Sequence, residues 1–287
     1  MIFIADGGST KADWRIIDSE NNQLDYATMG FNPFFYTEEM VLAELQKSFV
    51  KDLPVKEATK VFFYGSGCSD TLRKEILANA FRKIFPNAEI IIEHDLLASA
   101  KATCGDEPGI ACILGTGSNS CLYDGEDVID NITNLGYLLG DEGSGTHLAK
   151  KLIRAYYYRE LPSDLEQKFT DANHFDKREL LNRLYTGERA NVYLASFSRF
   201  LFDNKEHIYT QQLVRRSIAE FVDRHIMKYE HHEDLPIHFV GSIAYYFSFI
   251  LESLLAERNL TLGSIVKRPI DNLVTYHLKK EKAYFEK

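Results

Sequence analysis

Two short turns, far apart in the chain, carry the residue types that hold a phosphate group. The first is Asp6-Gly7-Gly8-Ser9-Thr10-Lys11 and the second is Gly115-Thr116-Gly117-Ser118. Glycine leaves backbone N–H groups bare and lets an anion approach without meeting a Cβ, and the hydroxyls add further donors. Apolar runs read as strands on both sides of each turn: 2–5 and 13–18 around the first, 110–114 and the strand opened by Asn119 around the second. One kind of hairpin used twice suggests a duplicated domain with phosphate held between the copies.

Other residues at the ends of predicted strands have polar chemistry to offer. Asp6 closes an apolar strand and faces the first loop; on the residues alone it also reads as a turn residue before two glycines. Asp95 ends one strand and begins a helix, the position of an N-cap that accepts the free N–H of Leu97 or Ala98. Asn32 in Gly30-Phe31-Asn32-Pro33, Ser66 and Gly67 after the strand 61–64, Asn119, Asp141 and the pair Gly241-Ser242 lie in loops, where such residues also serve as turn formers or caps. The four cysteines, Cys68, Cys104, Cys112 and Cys121, form no CxxC and read as reduced core residues of a cytosolic protein. His231-His232 has no spaced ligand partner and reads as a solvated loop. The runs Tyr156-Tyr157-Tyr158 and Tyr245-Tyr246-Phe247 read as core and interface area.

Periodicity supplies the elements that must position these groups. Strands are expected at 2–5, 13–18 and 24–28, a helix at 38–50, a strand at 61–64, a helix at 71–85, a strand at 89–92 and a helix at 96–103. The order βββαβαβα then recurs. Strands are expected at 110–114, 119–123 and 128–132, a long helical region at 144–229, a strand at 237–240, a helix at 243–257, a strand at 264–267 and a terminal helix from about 271. The expected domains are 1–107 with the helix 271–287, and 108–270, which carries an insertion at 161–209; Asp106-Glu107-Pro108-Gly109 is the expected hinge.

At 287 residues, 45% of them hydrophobic and 26% charged, the chain is long enough for two lobes with separate cores. A formal charge of −9 with no cluster of Lys and Arg argues against a nucleic-acid or anionic-membrane surface, so no nucleic acid and no membrane are expected as partners. No stretch reaches the ~20 apolar residues of a membrane span. Met1 leads straight into a short strand, so no signal peptide is expected and the expected location is cytoplasmic.

The order of elements and the loops together resemble the sugar-kinase, Hsp70 and actin superfamily, and within it the family of N-acetylglucosamine kinases and BadF/BadG-type ATPases. The resemblance covers nearly the whole chain. The loop from Asp6 to Lys11 looks like the first phosphate motif, Gly115-Thr116-Gly117-Ser118-Asn119 like the second and Gly241-Ser242 like the adenosine motif. Leu138-Leu139-Gly140-Asp141-Glu142-Gly143-Ser144-Gly145 is the most distinctive run. The resemblance implies an α/β fold of two actin-like (ribonuclease H-like) lobes with an interlobe cleft. It implies an ATP-dependent kinase that phosphorylates the 6-hydroxyl of an amino sugar, N-acetylglucosamine first among them. On that footing Asp6 organises Mg²⁺, and Gly7, Gly8, Ser9, Thr10, Lys11, Gly115, Thr116, Gly117, Gly241 and Ser242 hold ATP. Asp95 is the proton-accepting base. Asn32, Ser66, Gly67, Asn119 and Asp141 contact the sugar, Asp141 through two adjacent hydroxyls. The assembly suggested at the level of the family is a homodimer.

Two stretches depart from the pattern. Many relatives carry Gly-Gly-Trp-Gly where this chain has Asn134-Leu135-Gly136-Tyr137, so the wall near the acetamido or C3 side of the sugar differs. The acceptor therefore stays open among N-acetylglucosamine, glucosamine, N-acetylmuramic acid and a plain hexose. Pro269-Ile270-Asp271-Asn272-Leu273 stands where relatives often have a glycine-containing helix start. Two other functions fit the resemblance. One is a BadF-type ATPase that activates a 2-hydroxyacyl-CoA dehydratase, with Cys104 and Cys112 as iron–sulfur ligands by position. The other is a non-enzymatic ATP-binding scaffold of the actin type, which predicts ATP binding with no sugar-stimulated ADP release.

Overall fold

The computed structural model describes residues 1–8, 11–173, 176–187 and 189–285. It divides into two units, Met1–Gly105 with Pro269–Lys287, and Asp106–Arg268.

The first unit is built from β1 (Ile2–Gly7), β2 (Lys11–Ile17), β3 (Gln23–Met29), α1 (Glu38–Asp52), β4 (Lys60–Gly65), α2 (Thr71–Ile84), β5 (Glu89–His94) and α3 (Asp95–Thr103). Its sheet runs β3-β2-β1-β4-β5, with β1 antiparallel to β2 and parallel to β4, and β4 parallel to β5. Phe3, Ile4 and Ala5 are wholly buried because β1 is the middle strand, with neighbours on both edges. An aromatic cluster fills this core: Trp14 packs edge-on against Phe49 at 4.7 Å, and Phe81 against Phe63 at 5.2 Å. The buried indole N–H of Trp14 donates to Thr28 Oγ1 at 3.0 Å, so no polar atom of that ring is left unpaired. Thr37 caps α1 through the N–H of Met40, and Asp70 caps α2 through the N–H of Arg73.

The second unit repeats the sheet. It contains β6 (Gly109–Leu114), β7 (Ser118–Tyr123), β8 (Val128–Asp130), the single turn α4 (Gly136–Leu139), α5 (Gly145–Tyr157), α6 (Ser163–Asn173), α7 (Lys177–Tyr185), α8 (Ala190–Ser196), α9 (Ser198–Asp203), α10 (Ile208–Arg224), β9 (Ile237–Val240), α11 (Ser242–Tyr246), α12 (Ser248–Ala256) and β10 (Leu262–Val266). The order β10-β9-β6-β7-β8 is that of the first sheet, strand for strand. The last helix, α13 (Ile270–Phe285), belongs to the first unit, where Asn272 donates to the carbonyl of Ala102 at 2.8 Å.

The expected long helical region 144–229 comprises six α-helices among the described residues, α5 to α10, and one helical expectation is corrected: the expected helix 243–257 is broken. Phe247 leaves the helical region at φ −115° and ψ 29°, buried to 1% exposure, and separates α11 from α12. Among the described residues no helix is long and apolar enough to cross a membrane.

Candidate functional site

In the first unit the carboxyl ends of three parallel strands stop side by side. Register pairs Asp6 with Tyr64, and Gly7 with Gly65, which in turn pairs with His94. In α/β sheets this edge is where ligands bind, because side chains there are released from the ladder together. Ser66, just past β4, donates its N–H to the carbonyl of Gly7 at 2.8 Å, and its hydroxyl donates to the same oxygen at 3.3 Å. Asp95 opens α3 on the neighbouring strand end.

The structure corrects one reading of Asp95. His94, not Asp95, caps α3: its Nδ1 accepts the N–H of Leu97 at 3.2 Å. Burial holds the His94 imidazole below its ordinary titration range, which keeps Nδ1 an acceptor. Asp95 thus sits in the first turn of the helix without that capping duty. Burial raises its carboxyl above the usual carboxylate range, opposed by the neighbouring His94 and Ser66. Asp6 is raised as well, to about 7, first by burial and then by the charges of Asp95 and Asp13. Asp13 is its cross-strand partner on β2, a neighbour the sequence reading did not single out.

Asn32 and Gly67 meet in the same unit. Asn32 Oδ1 accepts the N–H of Phe34 at 2.9 Å, and a Cβ on Gly67, whose φ is +83°, would stand 2.4 Å from that oxygen. Asn32 is buried to 8% exposure, and its Nδ2 donates to nothing among the described residues. Gly7 lies inside β1 rather than in a loop, and Gly8 donates to the carbonyl of Lys11 at 2.9 Å. Lys11 Nζ is paired with Asp13. Ser9 and Thr10 lie outside the described residues.

In the second unit β6 and β7 close at the pair Leu114 and Ser118, leaving Gly115, Thr116 and Gly117 as a three-residue turn. The carbonyl of Gly115 accepts the N–H of Gly145 at 2.8 Å, and that of Thr116 the N–H of Thr146 at 3.1 Å. In a trans peptide the N–H points opposite to the C=O. The N–H groups of Thr116 and Gly117 are therefore turned away from α5, and among the described residues nothing accepts from them. The Ser118 hydroxyl, in a residue 1% exposed, also lacks a partner among the described residues. Two bare N–H groups on one glycine turn are donors of the kind that can cradle an anion, and the Ser118 hydroxyl at the start of β7 is a third donor without a partner.

Asp141 stands against this turn in the left-handed region, at φ +59°. Its Oδ1 accepts the N–H of Ser118 at 3.1 Å and Nδ2 of Asn134 at 2.9 Å, and its Oδ2 accepts the hydroxyl of Thr146 at 3.3 Å. A carboxylate has about four acceptor positions, so Asp141 keeps room for about one further donor rather than two. Asn119 Oδ1 is engaged by the N–H of Ser120 at 3.0 Å and by Asn131 Nδ2 at 3.1 Å. Glu142 lies 3.5 Å from both Arg224 and His225. Ser242 is exposed, and Gly241 packs on the phosphate-turn strand: a Cβ there would stand 2.3 Å from the carbonyl oxygen of Leu114, at a φ of +121°. Gly241→Ala should therefore cost about 2 kcal/mol or more. Denaturant melting checks this, and an unchanged midpoint would contradict the close approach.

The candidate residues thus fall in two groups, each within its own unit. The first unit brings together Asp6, Gly7, Asn32, Ser66, Gly67 and Asp95; the second brings together Gly115, Thr116, Gly117, Asn119, Asp141 and Gly241. Asp13 beside Asp6, and the bond from Asn134 to Asp141, are contributions the sequence did not single out.

No family model and no curated protein sequence matches the chain. Among solved structures, one from Porphyromonas gingivalis is 36% identical over 96% of this chain and 98% of its own, with a TM-score of 0.91. One from Chromobacterium violaceum is 17% identical over 96% and 98%, with a TM-score of 0.69. Both bear the name "putative N-acetylglucosamine kinase". MamK bound to AMPPNP, 10% identical over 94% of this chain and 95% of its own, shares the fold at a TM-score of 0.55. Two units of one strand order and a relative alike along its whole length lead to one conclusion: the chain has the two-lobe α/β fold of the actin-like proteins and belongs to the family of N-acetylglucosamine kinases and BadF/BadG-type ATPases.

Proposed function

We propose that the protein is an ATP-dependent sugar kinase that phosphorylates the 6-hydroxyl of an amino sugar, with N-acetylglucosamine the first candidate. The observation that carries this reading is the pair of raised carboxyls, Asp6 and Asp95, at one sheet edge. The name of the 36% identical structure from Porphyromonas gingivalis supports the acceptor.

Phosphoryl transfer asks a protein mainly for positioning and charge neutralisation. The acceptor hydroxyl would donate to the Asp95 carboxylate, which takes its proton as the new P–O bond forms. A raised carboxyl is the better base for that step, being nearer to the working pH. Asn32 Nδ2, Asn119 and the remaining acceptor position of Asp141 would orient the sugar. The N–H groups of Thr116 and Gly117 and the Ser118 hydroxyl would meet phosphate oxygens.

Mg²⁺ fits the first unit on the donors present. Asp6 and Asp13 face each other across β1 and β2, and Lys11 pairs with Asp13, while among the described residues no cation pairs with the Asp6 carboxylate. No group of three or more ligand side chains forms a closed cage among the described residues, whereas Mg²⁺ is commonly held by one or two carboxylates, waters and substrate phosphates. When bound by Asp6, the ion would neutralise charge on the phosphates. For the activator alternative, Cys112 is fully buried and Cys104 half-buried, so Cys112 is not the exposed ligand that reading needs. Phosphorus NMR of the product tests the regiochemistry: a phosphomonoester on the 6-oxygen is expected, and one on the anomeric oxygen would overturn the assignment.

Asn134 competes with the sugar for Asp141. In Asn134→Ala the carboxylate stays held by Ser118 and Thr146 and regains one acceptor position. The expected result is a KM for N-acetylglucosamine about 3- to 10-fold lower, with kcat nearly constant. A raised KM would show that Asn134 positions the carboxylate instead.

A further inference from the structure

We propose that the groove between α5 and α10 of the second unit is a binding site for a small phosphorylated polyol, separate from the residues assigned to phosphoryl transfer. The cavity measures about 310 Å³, within the range of small-molecule pockets. Lys151 and Arg154 of α5 face Tyr209, Arg216 and Glu220 of α10 across it, and Glu160 lines it as well. Buried Leu213 and Ala155 give an apolar floor.

The mixture of charges selects the ligand. Lys151 pairs with Glu220 at 2.6 Å, whereas among the described residues no carboxylate pairs with Arg154 or Arg216. Two guanidinium groups left without partners in a chain of net charge −9 match the planar, bidentate demands of a phosphate. A bare anion would also meet Glu160 and Glu220 and be repelled. A polyol phosphate turns the same two carboxylates into acceptors for its hydroxyls.

The groove is wired to the loop that carries Asp141. Glu220 reaches His147 Nε2 at 3.5 Å. His147 Nδ1 accepts the N–H of Gly143 at 3.2 Å and lies 2.7 Å from Ser217 Oγ. A phosphate on Lys151 takes from Glu220 its cation, and so alters what holds His147 and the amide of Gly143, two residues from Asp141.

Calorimetric titration with glucose 6-phosphate, and separately with inorganic phosphate, tests the site in the wild-type protein and in Arg154→Ala/Arg216→Ala. The wild type should show one binding event more than the double variant, or an affinity about 10-fold or more higher. Hydrogen exchange over residues 140–147 should respond to glucose 6-phosphate in the wild type alone. Equal binding by both proteins would overturn the site, and inorganic phosphate binding as tightly as the sugar phosphate would overturn the polyol. Neither readout requires turnover, so the result stands apart from the kinase reading, and a second variant pair, Arg154→Lys/Arg216→Lys, should weaken binding less because it keeps the charge and loses only the fork.

Discussion

Asp95→Asn is expected to lower sugar-dependent ADP formation by about 10²- to 10⁴-fold, the range a positioned general base supplies, with ATP affinity nearly unchanged. The amide keeps the shape, but it cannot take the proton of the acceptor hydroxyl. The fold should tolerate the change, because the cap of α3 is His94 and the N–H of Leu97 keeps its acceptor. Burial disfavours the Asp95 charge, so its loss should also leave the melting temperature equal or higher. Steady-state kinetics with a nucleotide titration on the same sample checks both parts; near-normal turnover would remove Asp95 from the chemistry.

Asp6→Asn has the second large effect, and it divides by ligand state. The Asp6 carboxyl is raised from 3.8 to about 7, so the folded protein holds this proton more tightly than the unfolded chain does. That contribution to stability is fully present below about pH 3.8 and is lost as the pH climbs through about 7. At about 1.4 kcal/mol per tenfold, the displacement sets a ceiling of about 4 kcal/mol. Without ligands, the wild-type protein should lose stability from acid to mildly alkaline pH, and the variant should be flatter and more stable at the alkaline end. With ATP the order reverses: the variant should lose the Mg²⁺ dependence of nucleotide binding. Thermal melts across pH and a Mg²⁺ titration read the two arms, and an unchanged titration would end the metal role of Asp6.

The sheets were legible because their strands alternate or run apolar between glycine-rich turns, and the repeat of that pattern exposes the duplication. The positions of Asp6, Asp95 and the Gly115–Gly117 turn follow from the same punctuation. What the sequence hides is which of two adjacent acceptors turns back on a helix. His94 and Asp95 are both able to cap α3, and only packing, which keeps the imidazole neutral, decides for His94. Pairings along a strand are hidden too: Lys11 and Asp13 lie on one face of β2 and pair there. The Asn134 contact to Asp141 spans seven residues through a one-turn helix and two backbone reversals, at Gly136 and at Asp141 itself, and no periodicity reports it. The break at Phe247 comes from burying one ring, a tertiary demand that local helix preference does not reveal.

The most direct test of the central claim is ADP release by the purified protein with ATP and Mg²⁺, measured against a panel of amino sugars and hexoses and a no-sugar control. The account predicts slow release without sugar, strong stimulation by N-acetylglucosamine, and loss of that stimulation in Asp95→Asn. ATP hydrolysis that no sugar accelerates, or stimulation that survives in Asp95→Asn, would contradict it.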